Sequence, residues 1–415
     1  MRQTIVSNYV RKYLPQGRQP EDHSSYPKIC ILAHTFLKGG GGTASLRVFL
    51  DYLGTMPVKI YLVTGPDVDK DSILGLKGIE WICLPAFRRS INLLGDLKTC
   101  LELRRVFRRE KFALLHTNYA KPGVIGRVIG RLSGIKIIVH HIYGCTFNEV
   151  YSPIARLVNR HIEIILSKLT DYYIFVGRDI LNRYIKAKII LNSNYSIVYP
   201  AMEFRPFVEA YKKKKEIRIK KRSEFGLEKD HFAIGLVSRF IRGKGHVHAL
   251  EMIDDLRKTH PRVRTFFVGR GPLQKDILRQ INQMGLENYV KILGYRDDLE
   301  SLMMAWDAGI FTSFGEGLPQ VLAQMVLLGL PVVTFEVDGA RELLKDGETG
   351  YIVPIGDSKT MAERLRMLLN NLDDFQSRLW GKAGVVSPDW DPKKMSRKLY
   401  EVYIDLMARS DTIKA

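Results

Sequence analysis

Short apolar runs, each followed by a helical stretch, recur along this chain in two series. The first series runs Lys28-Ile29-Cys30-Ile31-Leu32-Ala33, then residues 58–63, 113–116, 135–139, 172–176 and 195–198. The second begins at Phe232-Ala233-Ile234-Gly235-Leu236-Val237 and continues through 265–268, 290–293, 308–311 and 331–334. Runs that are apolar throughout, rather than alternating, suit strands covered on both faces, and strands interleaved with helices make a parallel sheet. The predicted class is α/β, with two Rossmann-like, doubly wound parallel-sheet domains facing across a cleft. A length of 415 residues accommodates two such units. The expected divisions are an N-terminal extension over 1–26, a first domain over 27–204 and a basic connector over 205–230. A second domain follows over 231–390, then a C-terminal helix over 391–415.

Ligands of open α/β sheets bind outside the carboxyl ends of the strands. The segments that follow the strands therefore carry the functional signal. Ser313-Phe314-Gly315-Glu316-Gly317-Leu318-Pro319 leads into a short helix that contains Gln324, and Gly329 closes it. Pro319 suits the first helical turn, where a missing N–H costs nothing, and Gly329 suits a left-handed helix end. Free N–H groups and the positive end of the helix dipole then converge on one point, which is an anion site. Glu316 stands beside it as an acceptor for hydroxyls, and Gln324 lies about a turn and a half further in. Phosphate flanked by hydroxyl-bearing groups describes a nucleotide sugar.

Other strand ends add to this reading. Arg239 and Lys244 in Ser238-Arg239-Phe240-Ile241-Arg242-Gly243-Lys244-Gly245 can place a planar fork and a compact charge on a diphosphate. Gly39 to Gly42, with Gly40, Gly41 and Gly42 as candidates, let backbone approach a ligand closely. Their spacing is not G-x-G-x-x-G, which argues against a dinucleotide-dependent dehydrogenase. Val268-Gly269-Arg270-Gly271-Pro272 and Leu293-Gly294-Tyr295-Arg296 are further strand–turn elements. In the first domain, Leu115-His116-Thr117-Asn118 and Val139-His140-His141-Ile142-Tyr143 end two strands.

The Glu316 segment resembles the Glu-x7-Glu region of retaining glycosyltransferases of family 4 (glycosyl transferases group 1), which have the GT-B fold. The Ser238–Gly245 segment resembles that family's G-R-x4-K-G signature. The resemblance covers roughly residues 28–408 and is strongest over 230–350. It implies that Glu316 holds sugar hydroxyls and that Arg239 and Lys244, with the N–H groups of Gly317 and Leu318 before Pro319, hold the diphosphate. Gln324 would hold the ribose, Gly294, Tyr295 and Arg296 the base, and Gly40 to Gly42 the donor phosphates. Acceptor-side candidates are His116, Asn118, His141 and Tyr143. The chain departs from the family at Gln324, where the second Glu stands, and at Ser238, where Gly is usual. Asn118 and Tyr143 occupy positions where the family often has His. The implied chemistry is retaining transfer from a nucleotide-diphosphate sugar, UDP-sugar favoured and GDP-mannose possible, to a lipid-linked or cell-surface polysaccharide acceptor. With two cations on the leaving diphosphate, neither metal nor cofactor is expected.

Charge bears on the partners. Residues 1–200 carry 29 Lys and Arg against 14 Asp and Glu, residues 201–222 carry 9 against 3, and the rest is balanced. A basic first half attracts acidic polymers, nucleic acid or an anionic membrane surface. Nucleic-acid binding would show aromatic platforms interleaved with Lys and Arg, and none is coherent here. Residues 93–109 read as a basic amphipathic helix whose stripe of Leu94, Leu97 and Leu101, bordered by Arg104, Arg105 and Arg108, either lies on a bilayer or packs on the sheet. Arg127, Arg131 and Lys136 add to the same charge. No apolar run reaches the ~18–20 residues of a membrane span. Four scattered cysteines and a start without an apolar leader fit the cytoplasm, and the basic first half suggests a peripheral place at the inner face of the plasma membrane. Asp67-Val68-Asp69 and Asp389-Trp390-Asp391 mimic a metal motif of another fold, but the first lies in an acidic turn and neither has a second ligand. Competing readings are a nucleotide-sugar epimerase of the same architecture, a non-catalytic basic scaffold and a protein that binds nucleotide sugar without turnover.

Overall fold

The computed structural model describes residues 26–37, 41–190, 194–380 and 390–412. Among the described residues fifteen strands occur, in chain order β1 (Lys28–Leu32), β2 (Thr35–Phe36), β3 (Lys59–Thr64), β4 (Asp67–Val68), β5 (Ile79–Cys83), β6 (Leu114–Asn118), β7 (Ile137–Ile142), β8 (Tyr172–Phe175), β9 (Tyr195–Ile197), β10 (Phe232–Val237), β11 (Val263–Val268), β12 (Val290–Gly294), β13 (Ala308–Phe311), β14 (Val332–Phe335) and β15 (Gly350–Val353). Seven form one parallel sheet in the order β5-β3-β1-β6-β7-β8-β9, and six form another in the order β12-β11-β10-β13-β14-β15. The class is thus α/β with two doubly wound sheets. The chain divides into two compact units. The first takes the residues up to Phe147, Tyr151–Met202 and the C-terminal helix; the second takes Asn148–Val150 and Glu203–Ser387.

In the first unit the crossover direction fixes which face each helix covers. The steps β5 to β6, β6 to β7 and β7 to β8 all move the same way along the sheet. Right-handed crossovers therefore put the helices Leu93–Glu110, Ala120–Leu132 and Pro153–Ser167 on one face. The step β1 to β3 moves the other way and puts the helix Gly41–Leu53 on the opposite face. There it packs with the C-terminal helix Pro392–Thr412, whose Met395, Leu399, Tyr403 and Met407 recur every four residues and point into the same core. The other face is sealed by Leu103, Val106 and Phe107 against Leu32, Leu115 and Ile138.

Several sequence readings shift. The strand expected over 135–139 is β7, two residues later, because Ile135 closes the preceding turn by donating to the Gly130 carbonyl. Asp67-Val68 is no turn but a two-residue strand paired with Thr35-Phe36. Arg127 contributes nothing to surface charge. It is fully buried and bound bidentately by Glu163 at 3.0 and 2.9 Å, a pair that neutralises itself where an unpaired charge could not stand. The basic connector forms two helices, Arg205–Lys212 and Lys214–Glu224. Arg218 and Arg222 of the second reach the Asp307 carboxylate and the carbonyls of Met304, Ala305 and Trp306. The predicted extension over 1–26 lies outside the described residues apart from Tyr26. Among the described residues no helix is long and apolar enough to cross a membrane.

Candidate active site

In the second unit the loops after β10 and β13 are drawn together by backbone geometry. Gly245 adopts a left-handed φ of 66°, and a Cβ there would stand 2.0 Å from the Thr312 carbonyl. Only glycine lets the two loops approach this closely. Two hydrogen bonds complete the seam: Phe314 N–H donates to the Gly243 carbonyl at 2.9 Å, and the Thr312 hydroxyl donates to the Lys244 carbonyl at 2.9 Å. The seam sets Lys244 beside Glu316, and their side chains form a charge-assisted hydrogen bond across 72 residues of sequence. Both are mostly buried, each 18% exposed at the side chain. Arg239, at the end of β10, is exposed on the same rim.

The helix Gln320–Leu327 starts three residues beyond Gly317. Pro319 is its N-cap, with an extended ψ of 99°, and not a residue of the first turn as expected. Ala323 makes the first intrahelical bond, to the Pro319 carbonyl at 3.2 Å, so the N–H groups before it have no acceptor within the helix. At the other end Gly329, with φ 66°, donates to Val326 and Leu330 donates to Met325, a Schellman closure. Gln324 lies on this helix with its side-chain Oε1 buried and unpartnered, and the Ser313 hydroxyl beside the loop is likewise buried without a partner. An unpaired buried acceptor is costly unless a ligand satisfies it.

The neighbouring strand ends join the same edge. Gly269 and Gly271 lie against Ser238 and Phe240, where a Cβ would come within 1.9 and 2.3 Å of their carbonyls. The Gly269 N–H donates to the Gly294 carbonyl at 2.8 Å. Tyr295 follows, half-exposed, with the Arg270 guanidinium 4.8 Å above its ring. Arg296 binds Asp298 bidentately, both contacts at 2.8 Å. This ion pair drives the Asp298 carboxyl far below the usual range.

Sequence reading missed His246. Its Nε2 lies 3.0 Å from the Ser238 hydroxyl, and burial, reinforced by Lys244, pushes it down to about 4. The neutral ring ties the end of β10 to the helix His246–Leu256. Ser238, read as a departure from a glycine pattern, was the available signal.

The first unit gathers different chemistry at its strand ends. His116, His141 and Tyr143 stack in sequence, with centroids 5.4 and 4.2 Å apart, and Tyr119 continues the stack at 5.0 Å from Tyr143. Burial pushes His116 down to about 3, depresses His141 well below the usual imidazole range and raises the Tyr143 phenol. The rings are neutral near pH 7. His116 Nε2, both His141 nitrogens, the Tyr143 hydroxyl and Asn118 Oδ1 are buried without hydrogen-bond partners. His116 Nδ1 contacts the Tyr403 hydroxyl of the C-terminal helix, a contact 287 residues away that no local pattern announces. Tyr119 carries a left-handed φ of 69°, rare for a bulky residue and costly, and its ring lies against Gly42, where a Cβ would stand 2.9 Å away. Gly41 opens the helix Gly41–Leu53 and Gly40 lies outside the described residues, as does Asp389.

One cluster of metal-ligand residue types occurs among the described residues, Glu228, Asp230 and His231. Its carboxylates pair with Arg262 at 2.9 and 3.3 Å.

Residues 231–371 match the family model described as glycosyl transferases group 1. The Escherichia coli UDP-Gal:alpha-D-GlcNAc-diphosphoundecaprenol alpha-1,3-galactosyltransferase is 24% identical over 78% of this chain and 83% of its own length. The Staphylococcus aureus capsular polysaccharide biosynthesis glycosyltransferase CapM is 23% identical over 68% and 74%. Among solved structures, Anabaena HepE in complex with UDP and glucose superposes with a TM-score of 0.73 at 21% identity, over 91% of this chain and 99% of that one. WaaG, a glycosyltransferase involved in lipopolysaccharide biosynthesis, superposes with a TM-score of 0.71 at 16% identity, over 89% and 99%. The fold is GT-B, and it is residues 231–371 of the second unit that match the group 1 glycosyltransferases.

Proposed function

We propose that the chain is a retaining, metal-independent glycosyltransferase of family 4. It takes a nucleotide-diphosphate sugar, UDP-sugar before GDP-mannose, and passes the sugar to a lipid-linked or cell-surface polysaccharide acceptor at the inner face of the plasma membrane. The observation that carries this reading is the convergence of Lys244, Glu316 and the start of the helix Gln320–Leu327 on one rim of the second sheet.

Breaking the bond between the anomeric carbon and the diphosphate leaves negative charge on the departing oxygen. Lys244, Arg239 and the helix N-terminus stabilise that charge where it develops. In this role they do what a divalent ion does elsewhere. The diphosphate competes with Glu316 for Lys244, and the released carboxylate accepts from sugar hydroxyls. Gln324 Oε1, unpartnered in the protein alone, accepts from the ribose. The UDP seen with HepE and the diphosphoundecaprenol acceptor in the E. coli relative's name support the donor and acceptor classes.

The test is transfer from a panel of UDP-, GDP- and ADP-sugars to a diphosphoundecaprenol-linked sugar, with the product linkage assigned by NMR. Retention of anomeric configuration and full rate in excess EDTA are expected. Inversion, or loss of activity on chelation restored by a divalent ion, overturns the corresponding part.

A further inference from the structure

The outward apolar faces of two helices in the first unit are a docking surface for an anionic lipid bilayer, we propose. In the helix Leu93–Glu110 the residues turned to the core are Thr99, Leu103, Val106 and Phe107. The stripe of Leu94, Leu97 and Leu101 points the other way, at 82, 60 and 50% exposure. The sequence left two fates open for that stripe, and the structure removes packing on the sheet.

The helix Pro153–Ser167 repeats the arrangement independently. Ile154, Leu157, Val158 and Ile165 lie on one helical face and are all at least half exposed. Both helices cover the same side of the sheet, with the helix Ala120–Leu132 between them in contact with each, and it adds the exposed Leu132. Soluble surfaces tolerate scattered leucines, but not two parallel rows without a partner.

Charge selects the occupant. The exposed cations Lys98, Arg104, Arg105 and Arg108 border the first stripe, and Arg160 and Lys168 the second. The two helices contain four carboxylates, none of them exposed. Asp96 pairs with Lys121, Glu110 with Lys28 and Glu163 with the buried Arg127, while Glu102 is half-buried. An apolar stripe edged by cations, with every acid withdrawn, matches anionic headgroups above acyl chains. A protein partner would need acidic side chains around an apolar centre, and a second copy of this face would set cations against cations. The proposal rests on the preceding reading only for the acceptor that the surface would bring within reach.

Sedimentation of the full chain with phosphatidylglycerol–phosphatidylcholine vesicles tests it, with pure phosphatidylcholine vesicles as the comparison. Binding to the anionic vesicles is expected, weakening as salt rises. Leu97→Glu with Leu157→Glu should reduce the partition coefficient by about tenfold or more, since each leucine loses its place in the bilayer. Ile219→Glu, at an apolar residue 73% exposed in the second unit, should leave it unchanged. Transfer to a short soluble acceptor analogue by the double variant should stay within about twofold of the parent, because both leucines are exposed on helices that carry no candidate site residue. Failure of the function reading would appear in that assay and not in sedimentation. Equal binding by parent and double variant, equal binding to both vesicle types, or a change in oligomeric state without a change in vesicle binding would each overturn the proposal.

Discussion

The two units place opposite electrostatics on the same part of the same architecture. At the carboxyl ends of β10 and β13, a lysine and a glutamate meet in an ion pair beside an exposed arginine and a helix start. At the ends of β6 and β7, the first unit stacks neutral imidazoles and a phenol, with His116 Nε2, both His141 nitrogens and the Tyr143 hydroxyl buried and unmatched. The first arrangement can exchange one charged partner for another, as a diphosphate requires. The second can only donate and accept hydrogen bonds, as uncharged hydroxyls require. One fold thus supports two kinds of recognition, because the loops after the strands and not the sheet decide what each edge presents.

The largest effect that would break this contrast falls on the charged side. Lys244→Ala removes the cation while the partly exposed Glu316 can hydrate, so folding should survive and transfer should fall by about a hundred- to a thousandfold. Activity assays together with urea unfolding check both halves; normal turnover would remove Lys244 from the site.

On the neutral side, burial sets an acid limit. His116 takes up a proton near pH 6.5 in the unfolded chain but only near about 3 in the folded one. Between those values the unfolded state binds more protons, so the stability this residue supports is full above pH 6.5 and declines as pH falls through the window. His141 acts in the same direction. Urea midpoints from pH 7 to pH 4 should fall, and His116→Gln should flatten the slope. An unchanged slope would mean that the ring is hydrated.

A smaller change sharpens the first unit alone. Tyr403→Phe deletes the hydroxyl that contacts His116 and leaves a buried ring nitrogen unpaired. A loss of about 1–3 kcal/mol in unfolding free energy is expected. The smallest effect concerns the second unit. Ser238→Gly restores the more usual motif residue but breaks the bond to His246, costing about 1 kcal/mol. Its KM for donor should rise more than its kcat falls, because the change loosens the loop that carries Arg239 and Lys244.

Legibility in the sequence followed locality. The strand runs were readable because full burial on both faces leaves an unbroken apolar string, as in Phe232–Val237. The glycine that ends the helix at Gly329 was readable from its left-handed conformation alone. Pro319 was misplaced by one position because an N-cap and a first-turn residue tolerate proline for related reasons. Arg127 was misread as surface charge because its partner Glu163 lies 36 residues away, on another helix. The contact between His116 and Tyr403 depends on where the last helix docks, which no local signal encodes. The helix Leu93–Glu110 has apolar residues on both sides, Leu94, Leu97 and Leu101 on one and Leu103, Val106 and Phe107 on the other, so periodicity did not say which faced the core.

Ligand-induced stabilisation tests the central claim most directly. Thermal unfolding of the parent, Arg239→Ala and Lys244→Ala would be followed with UDP, GDP and ADP at matched concentrations. The account predicts that one of these diphosphates raises the parent's Tm and that either substitution removes most of the rise. No stabilisation of the parent by any of the three, or an equal rise in both variants, would contradict it.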